Sequence, residues 1–524
     1  MDVNAAFYPL YAETCHRLEK YAEAMRCAAK AKARMLAHQL ALADFAPPTA
    51  APELITELHH LRDQMRRISW LEPASVPRDD PVTWLNRDRL LKQLRKRENE
   101  VVDAIANSDV GFADTVRGKI EDAASVGSLM AENEILMEFL VSPKNTLVFI
   151  VTKQTLEEPD ILMLKGWGTN DLASVVTGYP TENAQFTRGF LRLYHEKRTN
   201  DWYRELQNAV LELYERLFMR ASADGRSLEA VLGKHRARLR KQFDELRLTI
   251  VPHHLLHFIP FEIFPFMGGN TVNQLIDVFT IGYVPSTTVL CQARRRQRTF
   301  ENLCAYADPD GCLPGSRVEV DSIARFFPVS QQTVLQPGKV KKSELLKLLP
   351  HASVFHAAGH GEHNFDDFTQ SYLKLSHAKL LLKEVFGCAH SDRMALAVLS
   401  ACETGVPATS MIDEGLSFSG AFLQSGAKWV VSTRWQVDDL ASCLLMTKMY
   451  DLIFRGGEHP GAVTPPYALT AAQRWLKDVS FDDGVAYLGT KGFTEESVAL
   501  LLGDNTQQNF SNPYFWAGFY CSGA

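Results

Sequence analysis

Long apolar runs are missing from this chain: none reaches the ~18 residues that a membrane-spanning helix needs. A basic leader is missing too, since the chain opens with the acidic Met1-Asp2-Val3-Asn4 and no signal peptide is legible. Together these absences predict a cytoplasmic protein with no membrane contact. Cysteine pairing is also absent. The nine cysteines are scattered without paired spacing, which fits reduced thiols in the cytosol and no disulfide framework. Strong charge of either sign is lacking: the net charge of −6 leaves no footprint for nucleic acid. The basic cluster Arg294-Arg295-Arg296 with Arg298 is too short to make one and reads as a solvated helix end. What remains is an ordinary globular composition, 46% hydrophobic and 23% charged over 524 residues. Such a length gives a prior of about two to four domains and ample material for a core.

Two apolar runs organise what is there. Ser353-Val354-Phe355-His356-Ala357-Ala358 leads into Gly359-His360-Gly361, and Met394-Ala395-Leu396-Ala397-Val398-Leu399-Ser400-Ala401 leads into Cys402-Glu403-Thr404-Gly405. Short apolar runs with turn residues behind them suit strands buried on both faces of a parallel sheet, whose carboxyl ends share a crevice. That arrangement predicts His360 and Cys402 side by side. A thiol becomes a good nucleophile when it loses its proton, and an imidazole titrating near neutrality assists that loss and then protonates a departing amine. Gly361, with no side chain, lets its N–H approach a substrate, so Gly361 and Cys402 are the expected backbone oxyanion donors. Blander readings exist. Cys402 alone would be a small buried hydrophobe, and His356 faces the core or steadies the next loop. A metal set of His356, His360 and His363 with Asp366 and Asp367 is disfavoured, because two glycines and a strand pattern argue against the helix that would put ligands four apart on one face.

His356-Ala357-Ala358-Gly359-His360-Gly361 followed by Ser400-Ala401-Cys402-Glu403-Thr404-Gly405 resembles the paired signature of the CHAT family, caspase-like cysteine peptidases related to separase. The likeness continues in order through Leu313-Pro314-Gly315 with Glu319, Trp435 with Val437-Asp438-Asp439, and Asn512-Pro513-Tyr514-Phe515-Trp516-Ala517-Gly518-Phe519. It implies an α/β fold, a caspase-like sheet with helices on both faces. Residues 1–130 would be an α-helical forepart, 131–300 a pseudo-caspase half without a nucleophile, and 301–524 the active half. It implies a cysteine endopeptidase with the dyad His360 and Cys402, no cofactor and no metal; the alternatives are a catalytically silent caspase-like adaptor and another acyl-transfer enzyme using the same dyad. The segment Arg434-Trp435-Gln436-Val437-Asp438-Asp439 would rim the pocket for the residue before the cut bond, with Trp435 as a wall. Asp438 or Asp439 would pair with a basic residue, since burying a cation requires a paired charge. Both aspartates read equally well as helix caps, and Arg434 is the alternative reader, of an acidic residue. Met411-Ile412-Asp413-Glu414 lies on a loop placed to gate the site. The implied partners are a protein substrate, by analogy a pore-forming effector in bacterial defence or programmed death, and a regulatory protein on the helical forepart.

That forepart begins with an Ala-rich helical pattern from Ala6 to Leu42. Its break is similar to the hinge of one tetratricopeptide helix pair, and the preferred reading is a plain helical hairpin. Helices follow at Glu53 to Ile68 and Trp84 to Asn107, the latter carrying Arg89, Lys92, Arg95, Lys96 and Arg97 on a solvated face. A strand meander is expected from Ile135 to Lys165, then helices at Glu182 to Arg198 and Asp201 to Arg220. The turn Ala221-Ser222-Ala223-Asp224-Gly225 reads as an inert exposed turn, with a processing site as the alternative. His253, His254 and His257 read as packing beside Pro260-Phe261-Glu262. Strand and helix alternate from Leu303 onward, with Asp308-Pro309-Asp310-Gly311 as a turn and Ser343 as an N-cap.

Overall fold

The structure, a computed structural model, describes residues 7–42, 50–70, 81–107, 116, 118–178, 189–195, 199–222, 224–267, 272–362, 364, 370–388, 391–401, 417–456, 459–502 and 509–524. Its strands in chain order are β1 (Glu134–Val141), β2 (Asn145–Val151), β3 (Asp160–Lys165), β4 (Arg247–Val251), β5 (Pro265–Met267), β6 (Val272–Gln274), β7 (Thr280–Tyr283), β8 (Leu303–Ala307), β9 (Gln332–Leu335), β10 (Val354–Gly359), β11 (Gly361–Glu362), β12 (Tyr372–Lys374), β13 (Lys379–Leu381), β14 (Leu396–Ala401), β15 (Trp429–Thr433) and β16 (Phe519–Gly523). Eleven of them form one sheet in the order β3-β2-β1-β4-β7-β16-β15-β14-β10-β8-β9. β1, β4, β7 and β16 run parallel to one another. β15 is antiparallel to β16 and parallel to β14, and β14, β10, β8 and β9 share its direction. The expected α/β class is therefore what the chain adopts, with helices on both faces.

β10 and β14 are buried along their whole length, and their alternate residues serve different layers. Val354, His356 and Ala358 face one side, where His356 meets Tyr450 of the helix Asp439–Arg455 and Glu319 of the helix Pro314–Ala324. Phe355 faces the other side and stacks on Phe422 of the helix Phe418–Gln424, with ring centroids 5.5 Å apart. In the second set of strands the chain passes from β8 outward to β9, then back across β8 to β10. The direction of winding thus reverses between β8 and β10, where an open α/β sheet leaves a crevice at its carboxyl edge. His360 follows β10 at that edge.

The forepart is part of this fold. Phe7–Arg17 and Tyr21–Leu42 make the expected hairpin, and Ala12, Cys15, Ala24, Cys27 and Ala28 pack on Leu140, Leu147, Phe149, Ile161 and Met163 of β1, β2 and β3. Lys32 is fully buried and meets Glu138 of β1 at 3.0 Å. An ion pair at that depth must be nearly complete to survive its desolvation cost.

Some expectations need correction. The arginines at the end of the helix Thr287–Arg295 are only in part a solvated end: Arg295 is exposed and pairs with Glu121, but Arg294 grips the buried Glu134 with both nitrogens and Arg296 donates to the carbonyls of Leu423 and Ala427. The helix Lys342–Leu348 has Lys341 at its N-cap position, so Ser343 sits inside the first turn. The helix expected at Glu182 to Arg198 is described only as Phe190–His195, the remainder lying outside the described residues. The turn after Met219 is tied down, with Asp224 bonded to Ser222 and Arg226, and Arg226 bonded to Asp160; Ala223 lies outside the described residues.

Candidate active site

β10 and β14 pair in parallel from Val354↔Leu396 to Gly359↔Ala401. The residue after the first strand is His360 and the residue after the second is Cys402. Cys402 itself lies outside the described residues, as do Asp413 and Glu414 of the expected gating loop and His363, Asp366 and Asp367 of the metal reading. The last described residue before the thiol is held from two sides: Ala401 is in register with Gly359, and its carbonyl accepts a 2.6 Å hydrogen bond from the Thr433 hydroxyl. The imidazole of His360 is 38% exposed. Its backbone carbonyl accepts from the Lys374 N–H at 2.9 Å, and Gly361 pairs with Leu373, so the β11–β12 hairpin folds back along the histidine.

The turn after β8 closes the other side. Asp310 Oδ2 lies 2.5 Å from Lys374 Nζ and 4.0 Å from His360 Nε2. Burial would raise its pKa, but Lys374 and then His360 outweigh that and hold the carboxyl below its usual range. Asp308 is fully buried, with φ +43, and its carboxylate accepts from the Leu313 N–H and from Arg317. His356 stands within the sheet layer, bonded to Glu319 at 2.8 Å and Tyr450 at 3.1 Å, which is the core role that its place in the strand predicts.

The rim after β15 separates the four pocket candidates. Arg434 is buried and its guanidinium faces Glu262 at 3.2 Å, donates to the Ala517 carbonyl, and lies over the rings of Tyr283 and Tyr520. Burial opposes its charge, and the Glu262 carboxylate outweighs that and raises its pKa. Trp435 is buried against Trp202 and donates its indole N–H to the Tyr514 carbonyl at 3.1 Å. Asp438 caps the next helix by accepting from the Ala441 N–H at 3.0 Å. Asp439 is different: it is exposed and, among the described residues, no cation pairs with it. Partial burial first, then the carboxylates of Glu319, Asp438 and Asp308, push its pKa up to about 6. It packs against Gly315, where an added Cβ would stand 2.7 Å from Asp439 Oδ2. That contact explains why the Leu313-Pro314-Gly315 motif carries a glycine.

With this edge in view, the sequence comparison is decisive. Residues 212–524 match the profile of the CHAT domain. The chain belongs to the CHAT domain family. Among solved structures this CHAT protein is similar to Saccharomyces cerevisiae separase in its complex with securin, at 12% identity and TM-score 0.46 over 96% of this chain and 41% of that one. It is also similar to the Arg-specific cysteine proteinase gingipain R, at 9% identity and TM-score 0.38 over 58% of this chain and 68% of that one. The complex of Porphyromonas gingivalis RgpB pro- and mature domains matches at 10% identity and TM-score 0.37, over 57% and 70%. The CHAT chain spans about two fifths of the separase chain that it matches. No curated protein sequence matches it.

Sequence reasoning about this CHAT domain overlooked Asp310, Lys374 and Thr433. Asp310 was legible only as a turn residue, because the hairpin that delivers Lys374 to it leaves no mark in local spacing. Among the described residues no group of three His, Cys, Asp or Glu side chains could hold a metal ion, and no helix is long and apolar enough to cross a membrane.

Proposed function

We propose that this chain is a cysteine endopeptidase in which Cys402 and His360 act as the catalytic dyad. The observation that carries the reading is the Gly359↔Ala401 register, which ends two parallel strands side by side, each one residue short of a dyad member. In the reaction the Cys402 thiolate adds to the peptide carbonyl carbon. The N–H groups of Gly361 and Cys402 stabilise the oxyanion. Collapse breaks the C–N bond, and His360 gives its proton to the departing amine. Water, deprotonated by His360, then hydrolyses the thioester and the thiol is restored.

The proposed substrate is a protein cut after a basic residue, read by Asp439. What supports this choice is that Asp438 spends its carboxylate on a helix cap, while Asp439 lacks a partner cation among the described residues and stands among like charges. A Lys or Arg side chain would relieve that repulsion. The loop with Asp413 and Glu414 gates access, and a regulatory protein docks on the helical forepart, where Phe7, Leu10 and Leu18 are 55%, 50% and 62% exposed. The proposed location is the cytoplasm. Peptide libraries with every residue at the position before the scissile bond, incubated with the wild type and with Cys402→Ala, test this. Cleavage after Arg or Lys by the wild type alone supports it; cleavage that survives Cys402→Ala, or binding without cleavage, contradicts it.

A further inference from the structure

The turn after β8 and the β11–β12 hairpin bring three titratable side chains together. Lys374 Nζ and His360 Nε2 both address one oxygen of Asp310, at 2.5 Å and 4.0 Å. The other oxygen, Oδ1, is buried and has no hydrogen-bond partner. A buried carboxylate oxygen without a donor costs about 1–3 kcal/mol, so such a group is held ready for one. The imidazole stands 4.0 Å from the same carboxylate and is 38% exposed. The backbone of Lys374 is fixed beside His360, because its N–H is bonded to the His360 carbonyl and its strand is paired to β11 and β13, while its side chain is 44% exposed.

The geometry points to Asp310 as the positioning residue of His360, with Lys374 competing for the same carboxylate. This rests on the peptidase reading of His360. In the arrangement here the ammonium holds Asp310 and the imidazole stands one step off. A shift of about 1 Å brings Nε2–H to the carboxylate at hydrogen-bond distance, which fixes the ring's tautomer and favours the imidazolium that pairs with a thiolate. The other charged groups around this edge are engaged elsewhere: Glu362 accepts from Tyr372, and Asp308 is held by Arg317. Asp439 stands across the rim with Asp438 and Glu319, and the exposed Cys312 acts on Lys374.

The test is titration of His360 by NMR in the full-length protein, with His360→Gln to assign its signal. It needs no substrate and therefore stands apart from the peptidase reading. An opposite charge within a few ångströms moves a pKa by about 1–3 units. Asp310→Asn is therefore expected to lower the His360 midpoint by about one unit and Lys374→Met to raise it, each by a shift that Glu362→Gln does not reproduce. Where turnover is measurable, Asp310→Asn is expected to lower kcat by about 10- to 100-fold with KM little changed, and Asp310→Glu to restore part of it. Unchanged midpoints in both variants overturn the assignment, even in an active enzyme. Shifted midpoints in a protein without turnover uphold the geometry and count against the peptidase reading alone.

Discussion

Asp439 is an acid whose folded-state pKa, about 6, lies above the 3.8 of an unperturbed aspartate. The folded protein therefore binds this proton more tightly than the unfolded chain does. Its contribution to stability is full below about pH 4 and is lost as pH rises through about 6. Asp439→Asn is expected to raise Tm at about pH 7.5 and to leave it unchanged near pH 4; an equal Tm for the two proteins at both pH values would contradict the crowding of carboxylates. The same variant should lose the preference for Arg or Lys in a cleavage assay. Gly315→Ala tests the neighbouring contact, because its Cβ would meet Asp439 Oδ2 at 2.7 Å and Asp439 Cβ at 3.0 Å, and it should weaken cleavage after basic residues without reaching the dyad. At this scale His360 and its glycines were legible, since strand-end position and residue chemistry coincide in a few adjacent letters. Which of Asp438 and Asp439 caps the next helix was not, because both aspartates stand at the start of that helix; the bond from the Ala441 N–H identifies Asp438 as the cap.

Elements show where reading from local pattern stops. β10 and β14 follow from their apolar runs, and the structure moves their ends by no more than two residues. Part of the arginine cluster was misread because solvation was judged from its own helix, whereas Arg294 answers to Glu134 on a strand far upstream. The hairpin at the N-terminus was legible as helices, but not as a lid on β1, β2 and β3, since its polar anchors, Lys32 to Glu138 and Glu13 to Ser142 and Asn145, join residues more than 100 positions apart. Lys32→Met leaves the Glu138 charge buried alone, and the expected cost is about 3–5 kcal/mol by denaturant unfolding; a loss under about 1 kcal/mol would show that the hairpin is a detachable appendage. The segment beside this pair adds a pH signature. Burial first, then Lys32, lowers the pKa of His253 and brings that of His257 to about 3. Both rings enter the fold neutral, so their share of stability is present above about pH 6.5 and is lost as pH falls toward the folded values. His257→Gln should make the protein less sensitive to pH between about 6.5 and 3, as followed by Tm.

At the scale of the whole molecule, the eleven-stranded sheet has β1, β4, β7 and β16 running one way and β15, β14, β10, β8 and β9 the other, joined where β16, from the end of the chain, lies between β7 and β15. The buried Glu262 and Arg434 pair crosses the same join and ties the rim of the candidate site to the first set. A boundary near residue 300, drawn from the family resemblance, marks a change of strand direction within a continuous core. The protein should accordingly unfold in a single calorimetric transition, and two separated transitions would show that the halves fold independently. The alternation of strand and helix made the α/β class legible in advance, while the placement of β16 depends on contacts made by the last residues of the chain. The central claim, that Cys402 and His360 work as one unit, is tested most directly by the pH dependence of alkylation at Cys402, followed by mass spectrometry of its peptide in the wild type and in His360→Ala. The account predicts a thiol that reacts well below the ordinary pKa of about 8.5 in the wild type and returns to it in the variant; the same alkylation profile in both proteins would contradict it.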